Sequence, residues 1–303
     1  MTATPVPPKR PLAAATIGVF DGVHRGHQAL LARVVAAARR LGGQSVVVTF
    51  NRHPLAVLAP ERCPPAVVGP EERAALLESY GIDAVIALEF DGAVAGLSAR
   101  EFLEQVLGTR YELRVLVIGP DFAMGRGRAG DARALSELGQ TMGFAVEVVS
   151  PVTGDAGERI SSTQLRNAIR AGDLAAAREQ LGRDLEIRGR VVSGAGRGRG
   201  LGAPTANLAV DPTRLLPADG VYAALVRVEA PGRAPVGERP AVVNIGLAPT
   251  FGDGERRVEV HLLDLDQDLH ESVLTVRLLA RLRDEQRFPD AVALRTQIAA
   301  DIA

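Results

Sequence analysis

Over residues 13–182 short apolar runs alternate with stretches of helical spacing. The runs at 13–20, 44–50, 83–90, 114–119 and 145–150 have the length and apolar character of buried strands. Between the first two, Leu30, Leu31, Val34, Val35, Ala38 and Leu41 recur on one face of a helix, which predicts a helix over 26–41. Further helices are predicted over 70–80, 98–107, 131–142 and 162–182. Pro70-Glu71-Glu72 supplies a proline and acids for a first turn. Ser98 followed by Glu101 fits a capping box. Strands alternating with helices predict right-handed crossovers and a parallel sheet covered on both faces. Ligands on such sheets bind beyond the carboxyl ends of the strands, at a topological switch point.

From about Asp184 the rhythm changes. Apolar runs at 185–192, 220–229, 241–246, 257–264 and 273–279 are separated by Gly/Pro turns, and helical spacing returns only over 289–302. Closely spaced short strands predict a small antiparallel barrel or sandwich. The chain of 303 residues is therefore expected to hold two domains, 1–183 and 184–303.

Composition narrows the chemistry. Lys+Arg total 35 and Asp+Glu 36, so a net charge of −1 gives no bias toward nucleic acid or an anionic membrane. No apolar run approaches a membrane span, and the opening MTATPVPPKRPL lacks the apolar core of a signal peptide. Cys63 is the single cysteine, which excludes an internal disulfide or a cysteine-rich zinc site and makes the cytoplasm the expected compartment. Lys9 is the single lysine and lies in the opening segment, so Schiff-base chemistry and a Walker A loop are excluded. With 0 Trp, 3 Tyr and 8 Phe, a base-stacking platform is poorly supplied. No obligate protein partner is evident.

In the first half the string Thr16-Ile-Gly18-Val-Phe20-Asp21-Gly22-Val-His24-Arg-Gly-His27 joins the first strand to the first helix. Its glycines permit a tight turn and close approach of a ligand, and the helix N-terminus is a ready anion site. His24 and His27 there suit hydrogen bonds to phosphates. They equally suit plain capping or packing, and i, i+3 is not the usual spacing of a helical metal pair. Ser161 and Ser162 open another helix, with Thr163 beside them and Arg166 on the same first turns, again an anion site. Gly125-Arg-Gly127-Arg-Ala-Gly130 matches GxGxxG, with Glu147 some way on, but it follows its strand by a loop instead of a tight turn.

In the second half Gly194-Ala-Gly-Arg197-Gly-Arg199-Gly-Leu-Gly202 precedes Ala203-Pro204-Thr205-Ala206-Asn207. Backbone N–H groups of a glycine loop can wrap phosphates, although the stretch alone also reads as a surface turn. The Thr205 hydroxyl and Asn207 amide oxygen are hard ligands suited to Mg²⁺ with nucleotide phosphates. Glu259 lies within Val258-Glu-Val260-His-Leu262, where alternation alone makes it an outward strand residue.

HxGH after a first strand resembles the nucleotidyltransferase superfamily. The wider string, in order with Thr49-Phe-Asn51-Arg52-His53-Pro54, Gly119-Pro-Asp121-Phe122-Ala-Met-Gly125 and Ile160-Ser-Ser-Thr163-Gln-Leu-Arg166, resembles the bacterial riboflavin kinase/FMN adenylyltransferase family (FAD synthetase). So do the glycine loop with Pro204-Thr205-Ala206-Asn207, Pro217-Ala-Asp-Gly220-Val-Tyr222, Asn244-Ile-Gly246 with Pro249-Thr-Phe-Gly252, Val258 to Asp264, and Leu282-Arg283-Asp284-Glu285 with Phe288. Members often carry an acid and then proline where Asn51 and Arg52 stand. The resemblance implies a Rossmann-like nucleotidyltransferase domain followed by a small antiparallel β-barrel kinase domain ending in a helix. It implies phosphorylation of riboflavin to FMN with Mg-ATP, then adenylylation of FMN to FAD with release of pyrophosphate. It assigns catalysis to His24, His27, Arg166 and Glu259, the last as general base. Substrate contacts fall to Gly18, Phe20, Asp21, Gly22, Asn51, Asp121, Phe122, Ser161, Ser162, Thr163, Gly194, Arg197, Gly202, Thr205 and Asn207, with Mg²⁺ at Thr205 and Asn207. Rival readings are a sister adenylyltransferase with another acceptor, a kinase with a degenerate first half, and a flavin-binding module without turnover.

Overall fold

A computed structural model describes residues 10–155, 157–192, 205–230, 236–247, 256–263, 269–286, 288 and 291–302. The chain divides into two compact units, Met1–Ser161 and Ser162–Ala303.

The first unit is built on a parallel sheet of β1 (Leu12–Ile17), β2 (Gln44–Phe50), β3 (Ala84–Leu88), β4 (Glu112–Ile118) and β5 (Ala145–Val148), in the order β3-β2-β1-β4-β5. Winding reverses between β1 and β4, so the loops leaving their carboxyl ends flank the switch point. The connecting helices are α1 (Arg25–Leu41), α2 (Leu55–Leu58), α3 (Pro70–Ser79), α4 (Gly92–Gly96), α5 (Ala99–Phe102), which continues as a π-helical turn at Leu103–Leu107, and α6 (Ala132–Met142). Alternate strand residues feed opposite faces. Ala13, Ala15 and Ile17 pack with Phe102, Leu103, Leu107 and Leu135, whereas Ala14, Val47 and Val117 pack with Leu31, Val34 and Leu77. Both faces are thus covered, as the alternation of elements predicts. Leu31 and Leu77 are fully buried, a burial that contributes roughly 1.5–3 kcal/mol each. At the end of α1, Gly42 takes φ 60° and the Gly43 N–H reaches back to the Ala38 carbonyl at 3.0 Å. That reversal leads straight into β2.

The second unit opens with α7 (Ser162–Ala171) and α8 (Leu174–Leu181). A closed antiparallel barrel follows, of β6 (Leu185–Val192), β7 (Ala206–Ala209), β8 (Gly220–Glu229), β9 (Val236–Leu247), β10 (Arg256–Leu262) and β11 (Val273–Arg283), in the order β10-β7-β6-β11-β8-β9. The last helix is α9 (Ala291–Ile302). The single helix expected over 162–182 is broken at Gly172, which takes φ 70°. A Cβ there would press on Ala218, Tyr222 and Arg281, so the turn seats against the barrel. The Asp173 carboxylate then caps α8 through the Ala176 N–H at 2.9 Å. β7 is a strand the periodicity misses, because its four residues follow a glycine loop without an apolar run of their own.

The three arginines of β11 all serve the fold. Arg277 joins Asp184 at 3.2 Å and Glu238 at 2.6 Å. Arg281 donates to the Asp219 carbonyl at 2.6 Å and pairs with Asp284 at 2.8 Å. Arg283 holds both carboxylate oxygens of Asp301 at 2.9 and 2.7 Å, which ties α9 to the barrel.

Candidate active sites

β1 ends at Ile17, three residues earlier than its apolar run suggests, because the backbone turns there. Phe20 sits in the left-handed region at φ 52° and Val23 at φ 43°, conformations that cost non-glycine residues of order 1–3 kcal/mol each. The turn is over-determined by its bonds. The Thr49 hydroxyl donates to the Val19 carbonyl at 3.1 Å. Buried Asp21 accepts the N–H groups of Val67 and Val68 at 2.8 and 3.2 Å. Asp21, expected to contact nucleotide, thus spends one oxygen bracing the loop before α3.

The turn delivers His24 to the N-cap of α1, where its Nδ1 accepts the His27 N–H at 3.3 Å. The two imidazoles stack, with centroids 3.7 Å apart and planes 17° from parallel, and the Phe20 ring meets His27 edge-on at 5.0 Å. Both histidines therefore lie where the dipole of α1 favours an anion. Gly26 matters through its missing side chain. A Cβ there would stand 3.1 Å from the His24 ring and 3.6 Å from the Ile160 carbonyl. The start of α1 consequently lies against the segment leading into the Ser161-Ser162-Thr163 string. Thr153 and Arg159 pair in an antiparallel bridge below it, and the Ile160 N–H donates to Val152 at 2.9 Å.

Arg159 also pairs with Asp121 at 2.5 Å, and Arg128 donates to the Asp121 carbonyl at 3.2 Å. The loop after β4 is thereby tied to the segment before Ser161, and Phe122 packs against the sheet core. The GxGxxG string inside this loop is structural. Met124 and Gly130 bridge to each other, and α6 starts beyond them on its own Asp131 cap. Glu147 is bound by Arg33 at 2.5 Å and Arg40 at 2.9 Å, away from any ribose role. In the second unit Ser162 begins α7, Thr163 is exposed, and buried Arg166 donates to the Ser162 carbonyl at 3.4 Å.

Two residues near the second motif escaped the sequence reading. Glu89, at the end of β3, pairs with Arg52 and accepts from Asn51 Nδ2 at 3.5 Å. An acid from a neighbouring strand thus engages the two positions that depart from the family pattern. Arg73 on α3 is 4% exposed and donates to the Phe50 carbonyl. Burial pushes its pKa down, and the nearby Asp21 charge opposes that. Its signal in the sequence was its place four residues before buried Leu77, on the inward stripe. Arg73→Ala removes a buried donor from the Phe50 carbonyl and should lower unfolding free energy by about 1–3 kcal/mol. Urea denaturation of the two proteins checks this; equal midpoints would deny Arg73 that role.

The barrel builds a second constellation by register. Val258, Val260 and Leu262 fill the interior, so Glu259 faces outward, as alternation predicts. Its cross-strand neighbours are Asn207 on β7 and Asn244 on β9. Side chains opposed in this way stand about 5 Å apart at Cβ. Thr205, two residues before Asn207, shares that face. The side chains of Thr205, Asn207 and Glu259 make no hydrogen bond or ion pair with another described residue. Asn244 Nδ2 donates to Glu285 Oε1 at 3.2 Å, joining two strings that the sequence reading singled out separately. Gly194, Arg197, Gly202 and the string Pro249-Thr-Phe-Gly252 lie outside the described residues. Among the described residues no three His, Cys, Asp or Glu gather as a metal site, and no helix is long and apolar enough to cross a membrane. Thr205 and Asn207 are therefore neutral oxygen donors whose side-chain oxygens are not spent on any described residue, a set that fits a hard cation held mainly by nucleotide phosphates.

Two family models match the chain, FAD synthetase over residues 7–164 and riboflavin kinase over residues 181–303. A bifunctional riboflavin kinase/FMN adenylyltransferase of Pseudomonas fluorescens is 44% identical over 95% of this chain and 90% of its own length. The protein of the same name from Escherichia coli K12 is 38% identical over 94% of this chain and 89% of its own. A crystal structure described as a macrolide-efflux protein from Streptococcus pneumoniae superimposes with a TM-score of 0.82 at 34% identity, covering 98% of this chain and 94% of that one. Two domain matches in this order, and relatives aligned almost end to end, settle the family: the chain belongs to the bifunctional riboflavin kinase/FMN adenylyltransferases.

Proposed function

We propose that the barrel phosphorylates riboflavin to FMN with Mg-ATP, and that the parallel-sheet half joins FMN to the AMP part of a second ATP, releasing pyrophosphate. The observation that carries this reading is the trio Thr205, Asn207 and Glu259, which share one barrel face with side chains that no described residue occupies. In the kinase step Glu259 takes the proton of the ribityl 5′-hydroxyl as that oxygen attacks the γ-phosphorus. Thr205 and Asn207 would hold Mg²⁺ by their oxygens, and phosphate contact is assigned to Gly194, Arg197 and Gly202. When bound, the ion neutralises charge on the phosphoryl oxygens.

In the adenylyl step His24 and His27 stabilise charge on the phosphates while the FMN phosphate attacks the α-phosphorus. Arg166, with Ser161, Ser162 and Thr163, holds the departing pyrophosphate. The backbone at Gly18, Phe20 and Gly22 gives close approach to the nucleotide, and Asp21 keeps that backbone in place. Contact with flavin and nucleotide is assigned to Asn51, Asp121 and Phe122, although each also has a partner within the fold. Neither step needs a covalent enzyme intermediate, so catalysis is positioning and charge neutralisation. The functional division proposed is 1–183 and 184–303, which assigns α7 to adenylyl transfer although it packs compactly with the second unit. The cytoplasm, where ATP is supplied, is the proposed compartment, and no nucleic acid, membrane or protein partner enters the scheme.

Chromatography of flavins after incubation with riboflavin, ATP and Mg²⁺ tests the reading. FMN appears first and FAD follows. No conversion by folded, metal-replete protein would overturn it.

A further inference from the structure

We propose that Glu285 is a positioning residue of the kinase site, acting through Asn244 on the carboxylate of Glu259. The inference rests on the reading of Glu259 as the general base and adds a residue to it. Asn244 is the direct cross-strand neighbour of Glu259, on the same outer face of the barrel. A carboxamide so placed has two ends with opposite effects. If its NH₂ turned to Glu259 it would donate to the carboxylate and occupy a lone pair that the ribityl proton needs. If its oxygen faces that way, the lone pairs of Glu259 stay available and a second acceptor lies beside the substrate hydroxyl.

Glu285 decides between these ends. Its Oε1 accepts Asn244 Nδ2 at 3.2 Å, and the Glu259 carboxylate takes no hydrogen bond from that NH₂. An ionised carboxylate accepts only, so it fixes the amide one way round. Gly246 provides the room. A Cβ built there would run into both carboxylate oxygens of Glu285, so this strand position admits the acid only because it has no side chain. The approach of Glu285 is itself anchored, since Arg283, two residues earlier, is clamped to Asp301 of α9.

Two variants remove the orienting bond by different routes. Glu285→Gln keeps the shape but offers both a donor and an acceptor, so either amide orientation is satisfied. Gly246→Ala keeps the acid but displaces it, and the atoms that must give way are the far end of a flexible side chain. Each should lower kcat for FMN formation about tenfold, a coupling within the range for residues in one hydrogen-bonded network. KM for ATP and the rate of FAD formation from supplied FMN should not change. In an Asn244→Ala background Glu285→Gln should have no further effect. A full additional loss in that background, or a raised KM for riboflavin with kcat unchanged, overturns the role of Glu285. An inactive wild-type kinase, or an unimpaired Glu259→Gln variant, instead sinks the parent reading.

Discussion

Replacing His27 by alanine should abolish FAD formation while riboflavin is still phosphorylated at the wild-type rate. The expected loss in adenylyl transfer is on the order of 10²–10³-fold, the scale for removing one donor aimed at developing charge. His27 is a cleaner probe than His24. His24 caps α1 through its Nδ1, so its removal also costs about 1 kcal/mol of helix stability. His27 lies one turn in, its ring stacked on that of His24, and contributes its backbone N–H to the cap whatever its side chain. The measurement is the rate of FAD appearance from supplied FMN, with FMN appearance from riboflavin followed on the same preparation. Equal loss of both rates in a folded variant would refute separate sites. Undiminished FAD formation would deny His27 any part in catalysis.

Much of the architecture was legible because its signals are local. β2, β6 and β8 begin and end where their apolar runs do, β2 as an almost wholly buried strand and β6 and β8 as barrel strands whose buried positions alternate with more exposed ones. The two-domain order followed from a change of rhythm that single residues cannot blur. What escaped depends on contacts between segments distant in sequence. The break at Gly172 reflects the seating of a turn against Tyr222 and Arg281, fifty or more positions away in the chain. β9 runs beyond its apolar window through charged residues such as Glu238, which pairs with Arg277, and β11 runs on because Ala280, Arg281 and Arg283 continue its pairing with β8. The same holds at the sites. His24, His27 and Glu259 are visible as motif residues. Arg73 and Glu89 are not, because an arginine on a helix and a glutamate at a strand end acquire meaning only when the fold sets them against Asp21 and Asn51. Glu285 was visible as part of a string, but its partner Asn244 lies 41 residues earlier.

Glu259→Gln should remove FMN formation by about 10²–10⁴-fold, the range for a general base, while supplied FMN is still converted to FAD. The substitution is informative because the surroundings of Glu259 are so plain. No described residue bonds to its carboxylate, and the interior packing belongs to Val258 and Val260. Glutamine therefore keeps the volume and the outward rotamer without breaking any bond of the fold, and thermal unfolding should match wild type. A loss of activity then reports chemistry alone. Glutamine also retains an oxygen able to accept from the ribityl hydroxyl, so substrate KM should change little while kcat falls. That split separates a base from a binding contact, which would raise KM instead. An alternating strand makes most such outward acids solvated surface groups. A kinase rate unchanged in Glu259→Gln would return this one to that class, and would leave Thr205 and Asn207 as a phosphate or cation site awaiting a different base.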